Sequence, residues 1–237
     1  MLALLDTHGP YRLPTSWHEV TTRQYCDLDR LQLATVEARA SYFAGRPIQV
    51  NGLVADVLAF LLHPVPNDEH FKSYPSDLGQ VSYLQVETIR GLLANKPLNE
   101  CFAEVCATFV AEHNPNAFYK PDSWQARVVV MVPHYEAWPI TDTYPSVAHC
   151  LAELQRLNET FAALNEPDHT EAGRRAREAG SDRLAIFSHL NVARHYAERF
   201  STTIDAVYQW PWQQVALFLL QDRIQAEIQD NLQKASE

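Results

Sequence analysis

Glycine is scarce in this chain, with 7 in 237 residues. Glycine supplies the positive-φ corners of many β architectures and the bare backbone of phosphate-cradling loops. Its scarcity argues against both. There is no G-x-S-x-G, no P-loop and no G-x-G-x-x-G, so the common hydrolase, nucleotide and dinucleotide chemistries lack their signatures. Basic residues are also few, 19 Lys and Arg against 29 Asp and Glu, for a net charge of −10. Nonspecific nucleic-acid binding needs clustered bases against phosphate, and an anionic membrane surface is disfavoured for the same reason. The acidic residues are dispersed among bases, not set in dense rows, which suits a soluble surface better than a DNA mimic. Apolar runs are too short to span a bilayer. The start MLALLDTHGP lacks the basic and apolar regions of a signal peptide. Cys26, Cys101, Cys106 and Cys150 show no C-x-x-C spacing. That pattern predicts buried thiols in a reducing cytosol, not a secreted disulfide framework.

What is present favours a helical protein. Hydrophobic residues make up 46% and charged residues 20%, enough apolar surface for a packed core. The length suits one large domain or two small ones. Many of the prolines (Pro47, Pro64, Pro66, Pro75, Pro97, Pro115, Pro121, Pro167) separate helical stretches, as expected of a residue that ends helices.

Along the chain, residues 1–14 read as an extended arm. Ser16–Glu19 has the S-x-x-E form of a capping box and Thr21–Gln24 the T-x-x-Q form, which predicts a short turn and then a helix. Tyr25, Leu28, Leu31, Thr35, Ala38 and Tyr42 give that helix one apolar face, and Gly45-Arg46-Pro47 stops it. Residues 48–50 suggest a brief extended piece, and Leu53 to Leu62 an apolar helix ending before Pro64. Further helices are expected around Leu78–Leu93, after Asn99, and from Ser146 onward. Between them, ARVVVMV (residues 126–132) is β-branched and short, the best strand candidate in the chain. The stretch PHYEAWPITDTYP after it suits a small hairpin or an irregular docked segment. Residues 184–229 read as a helix, a polar turn, a short helix, a Trp-Pro-Trp step and a long helix. No repeat at a solenoid period stands out. The predicted fold is therefore mainly α, a helical bundle with at most a short two-stranded β element and a C-terminal helical module. Residues 1–165 are expected to form the N-terminal domain, 166–182 a polar linker or exposed loop, and 183–237 the C-terminal module.

No catalytic set emerges. His63 with His70, His189 with His195, and His134 with Glu136 are the closest metal-like groupings. None has the H-E-x-x-H pattern that places two imidazoles on one helix face. Cys150 follows His149, but adjacent helical residues do not face each other. Arg174, Arg175 and Arg177 form the basic cluster, with Glu171 and Glu178 placed to pair with it on a solvated helix face. The expectation is no catalytic residue, no cofactor and no metal ligand.

Trp210-Pro211-Trp212 places Pro in the first turn of the last helix, where its missing N–H costs little. Each Trp reads as a core staple or as an anchor for a partner. Past Leu220 the last helix turns rich in Gln and Asp, so it is expected to project and to dock on a partner or on a second copy of the chain.

Two stretches carry a resemblance. PTSWHEVTTRQYCDLDRL (14–31) and AERFSTTIDAVYQWPWQQVALFLLQDRIQAE (197–227) resemble the opening and closing patterns of small proteins from bacteriophage and prophage tail gene clusters, often tail assembly chaperones or neighbouring tail-morphogenesis proteins. Residues 48–180 carry no such resemblance. It implies a non-enzymatic protein of the host cytoplasm that holds a tape-measure or tail-tube protein through apolar helix faces. The contact candidates it singles out are Trp17, Tyr25, Trp210, Trp212 and Phe218. Two other classes stand beside it. A structural adaptor or tail-completion protein would remain in purified particles. A metal-dependent enzyme using His and Glu of the middle region would carry stoichiometric metal.

Overall fold

The computed structural model describes residues 13–45, 55, 58–65, 77–110, 121–166 and 168–236, of which 121–127, 182, 185 and 186 by their backbone alone. Most of the expected arm at 1–14, the extended piece at 48–50 and residues 53, 54, 56 and 57 of the helix expected at 53–62 lie outside the described residues; Ala59–Leu62 is a 3-10 turn. The fold is mainly α, and among the described residues there are ten α-helices and no strand.

By contact the chain groups into two compact units. One comprises Met1–Tyr74, Gly91–Ala111 and Asp122–His149, the other Pro75–Arg90, Glu112–Pro121 and Cys150–Glu237. The sequence suggested contiguous pieces divided at 165 and 182; the units instead gather stretches distant in the chain, because burial joins faces and not neighbours in sequence.

In the first unit a 3-10 turn, Trp17–Glu19, leads through Val20 into α1 (Thr22–Arg30). Thr21 caps α1 with the full box the sequence predicts. Its hydroxyl accepts from the Gln24 N–H at 3.2 Å, and its own N–H donates to Gln24 Oε1 at 2.9 Å, so two orphan donors are satisfied reciprocally. Ser16 does not cap with its side chain; Glu19 instead accepts from the Thr15 N–H at 2.7 Å. The expected single helix is two. Gln32 takes φ 52, and α2 (Val36–Ala44) starts afresh on the cap Thr35 and ends at Gly45, φ 64. Two further helices follow after 77: α3 (Tyr83–Asn95), which belongs to the second unit as far as Arg90, and α4 (Leu98–Val110) in the first. In α4 the run Cys101, Phe102, Ala103, then Val105 to Phe109, is buried.

The strand expected at 126–132 is not one. Pro121–Ala137 is helical (α5), with Pro133 inside it, and Val129 and Val130 are exposed at 71% and 63%. β-branched residues favour a pleated surface only where a partner strand exists. With none among the described residues, a helix satisfies the backbone internally. The next helix, α6 (Ile140–Thr160), belongs to this unit as far as His149 and begins earlier than Ser146. Trp138-Pro139 joins α5 to α6 and forms an isolated antiparallel bridge with Thr21. The Thr22 N–H donates to the Trp138 carbonyl and the Ile140 N–H to the Val20 carbonyl, both at 2.8 Å.

In the second unit a 3-10 turn, Leu78–Gln80, leads through Val81 to Ser82, whose hydroxyl accepts from the Gln85 N–H at 3.3 Å in the first turn of α3. The polar stretch expected as a linker contains α7 (Glu171–Glu178), capped by buried Thr170. Its arginines pair as the spacing suggests, Arg174 with Glu171 and Glu178 at 2.6 and 2.7 Å. A 3-10 stretch, Ser181–Phe187, precedes α8 (Ser188–Arg199), and α9 (Ile204–Tyr208) and α10 (Trp212–Ser236) complete the chain. That is the helix, short helix and long helix read from 184–229. Pro211 lies just before α10, outside its first turn, and bridges antiparallel to Ser82.

Candidate interaction surface

The five contact candidates fall in different environments. Trp17 is 5% exposed and packs edge-on against Tyr25 and Phe60, with ring centroids 5.8 and 5.4 Å away. Tyr25 is half-buried between Phe102 and Tyr144, each at 6.1 Å. Burial first, then Tyr144, pushes its phenol up to about 12, so it stays neutral at physiological pH. Trp212 is 4% exposed. Its ring meets Phe161 edge-on at 5.4 Å and carries the Arg90 guanidinium at 4.5 Å, and its indole N–H donates to Glu87 at 2.9 Å. Trp17 and Trp212 therefore serve the interior. Trp210 and Phe218 do not: both are half-buried, and with Phe200 they form an open aromatic cluster. Phe200 lies 5.6 Å from Trp210 and 5.2 Å from Phe218. It is 45% exposed and has the Arg199 guanidinium at 5.5 Å.

Beside this cluster α10 carries two faces. One is docked. Trp212, Val215 and Ala216 are buried. Asp222 accepts from Tyr196 Oη at 3.0 Å and from Arg199 at 2.6 Å. Arg223 donates to the carbonyls of Ala163 and Glu166, and Asp230 accepts from the Glu171 N–H at 3.1 Å. The helix beyond Leu220 is thus held by α7 and α8. The other face is bare: Leu217, Ile224, Ile228 and Leu232 are each about half exposed or more. At 3.6 residues per turn they fall within about 80° of the circumference and span about 22 Å.

Sequence reasoning passed over Leu217, Leu232 and Phe200. The signal was the spacing of seven, four and four residues from Leu217 to Leu232, a stripe a quarter-turn wide. What it lacked was the position of the core face, which only the contacts of Arg223 and Asp230 reveal.

The chain resembles no known protein closely enough to place it. No family model, no curated protein and no solved structure matches it. Any functional reading therefore rests on the residues themselves.

Those residues offer little for covalent chemistry. No group of three His, Cys, Asp or Glu side chains suited to a metal ion occurs among the described residues. His189 packs 6.4 Å from Tyr208, and His195 lies 3.6 Å from Asp222. None of the cysteines is in a disulfide. Burial pushes the Cys26 and Cys106 thiols up to about 12 and raises Cys101, which disfavours the thiolate a nucleophile requires. A groove of about 290 Å³ in the first unit is lined by Arg23, Asp27, Arg30, Glu104 and Glu136 among others. Five of its charged side chains are paired: Arg30 with Asp27 at 2.6 Å, Arg23 with Glu136 at 3.7 Å, and Glu104 with Lys96 at 2.9 Å. No helix among the described residues is long and apolar enough to cross a membrane.

Proposed function

We propose that this chain is a non-enzymatic binding protein of phage tail assembly, holding another tail component of tape-measure or tail-tube type in the host cytoplasm. The observation that carries the reading is the second apolar face of α10. A helix that docks through one face ordinarily turns a polar face to solvent; here Leu217, Ile224, Ile228 and Leu232 lie opposite the docked side. Contiguous exposed apolar surface of this kind marks interaction sites. The half-open cluster of Phe200, Trp210 and Phe218 supplies the aromatic anchors that dominate interface energetics. The resemblance at 14–31 and 197–227 supplies the tail-assembly context and the class of partner. The chemistry is noncovalent: the stripe covers aggregation-prone apolar surface on the client until polymerisation displaces it.

The test is a tagged pulldown from cells expressing the surrounding genes, with mass spectrometry and light scattering of the product. A stoichiometric tail protein, soluble only with this chain and lost on Ile224→Glu/Ile228→Glu, supports the reading, provided the chain is absent from finished particles. A partner-free oligomer dispersed by the same double substitution assigns the stripe to self-association. Retention in particles assigns the chain to the virion as a structural component.

A further inference from the structure

We infer that one structural module occurs twice in this chain, once in each compact unit. The first copy leads with Pro14-Thr-Ser-Trp17-His-Glu-Val20-Thr21-Thr22-Arg-Gln24-Tyr25, the second with Pro75-Ser-Asp-Leu78-Gly-Gln-Val81-Ser82-Tyr83-Leu-Gln85-Val86. In register, Pro, Val and Gln are identical, and Thr21 matches Ser82. The returning segments are Trp138-Pro139-Ile140 and Trp210-Pro211-Trp212, with the Trp-Pro step identical.

The local structures agree in element order, cap and bridge. Each leading segment forms a three-residue 3-10 turn, an extended Val, a hydroxyl N-cap and a helix with Gln at its third position. The capping hydroxyl accepts from that Gln N–H in both, at 3.2 and 3.3 Å. Each capping residue bridges antiparallel to the proline of its Trp-Pro step. The first helical N–H then donates to the Trp carbonyl (Thr22 to Trp138, Tyr83 to Trp210), at 2.8 Å in both. The first N–H of the returning helix donates to the Val carbonyl (Ile140 to Val20, Trp212 to Val81), at 2.8 and 2.9 Å.

Burial repeats with it. Trp17 and Leu78, Val20 and Val81, Thr22 and Tyr83, and Leu28 and Ile89 are buried in pairs along the leading segments. Tyr135 and Val207, Ile140 and Trp212, and Thr143 and Val215 are buried in pairs along the returning ones. Generic helix packing accounts for one such corner. It does not account for two with the same cap, the same bridge, the same proline and the same burial register, each joining segments far apart in sequence. The two leading segments both precede the two returning ones, so the copies are interleaved along the chain, which hides the repeat from any search for one period.

The test is amide hydrogen exchange on the full chain, read at Thr22 and Ile140 for one copy and at Tyr83 and Trp212 for the other. Thr21→Ala and Ser82→Ala each remove one cap. Each is expected to lower protection of its own pair about fivefold, the fold-change of a typical capping loss, with the two responses alike. The reciprocal exchange Thr21→Ser/Ser82→Thr is expected to keep both pairs protected. Loss of protection in the reciprocal variant, or alanine responses differing by more than tenfold, would overturn the inference. The reciprocal variant keeps the test decisive if an alanine variant does not fold.

Discussion

Beneath one Trp-Pro corner lies a hydroxyl pair, and at the matching positions of the other a buried tyrosine and a buried valine. In the first unit the Thr22 and Thr143 hydroxyls meet at 2.6 Å, fully buried. The matching positions in the second unit hold Tyr83 and Val215, with Tyr83 stacked on Tyr208 at 6.5 Å. Ile140 fills the first corner and Trp212 the second, where the indole adds the bond to Glu87 and the Arg90 contact. Backbone geometry is the same in both, and the filling differs. The corner is therefore specified by its cap and bridge bonds, while the side chains beneath it need only fill the volume and satisfy their own polar atoms.

The largest effect that sharpens this contrast is at the filling residue. Trp212→Ala is expected to cost about 3–5 kcal/mol in denaturant unfolding, and Ile140→Ala about 2–5 kcal/mol, toward the lower end because fewer contacts are lost. A Trp212→Ala cost below that of Ile140→Ala would break the ranking.

Next is the hydroxyl pair. Thr22→Val and Thr143→Val are each expected to cost about 1 kcal/mol. The double substitution, which makes the first corner as apolar as the second, is expected to cost less than their sum. Strict additivity in a double-mutant cycle would mean the two hydroxyls do not act as a pair.

The two copies of the corner should also differ in acid. Burial tends to raise the Asp222 carboxyl, but the bonds from Arg199 and Tyr196 and the charges of Arg199 and His195 outweigh it, so Asp222 is held below the usual carboxylate range. A group depressed in the folded state stabilises at pH above its unfolded value, and that contribution is lost as pH falls through the folded value. The melting midpoint is therefore expected to decline on acidification below the ordinary carboxylate range, and Asp222→Asn to flatten that decline. The matching position in the first copy of the corner module is Cys150, which is buried and contributes no carboxylate.

The smallest expected change in stability is on the bare stripe. Ile228→Ser should shift stability by no more than about 0.5 kcal/mol while weakening capture of the partner. A large loss of stability would show that the stripe is packed in solution and is not a contact face.

Legibility from sequence followed the range of the interaction. The Thr21 box and the Arg174 pairs were readable because each closes within three or four residues. The helix at 121–137 was not, because its β-branched run has strand propensity, and no partner strand occurs among the described residues to realise it. Among the contact candidates, sequence could not separate Trp210 from Trp212, two residues apart. The burial of Trp212 depends on Phe161, Glu87 and Arg90, which approach from elsewhere in the chain.

By itself the sequence determined that this is a mainly helical chain with a reciprocal cap at Thr21, acidic and free of the signatures of common enzymes. These follow from composition and from bonds local in sequence. Only the tertiary structure decided that α10 has a docked face and a bare one, and that the Trp-Pro corner occurs twice. Both are matters of which distant segments meet: the bond from Thr22 to Trp138 spans 116 residues, and no local pattern encodes a partner that far along the chain.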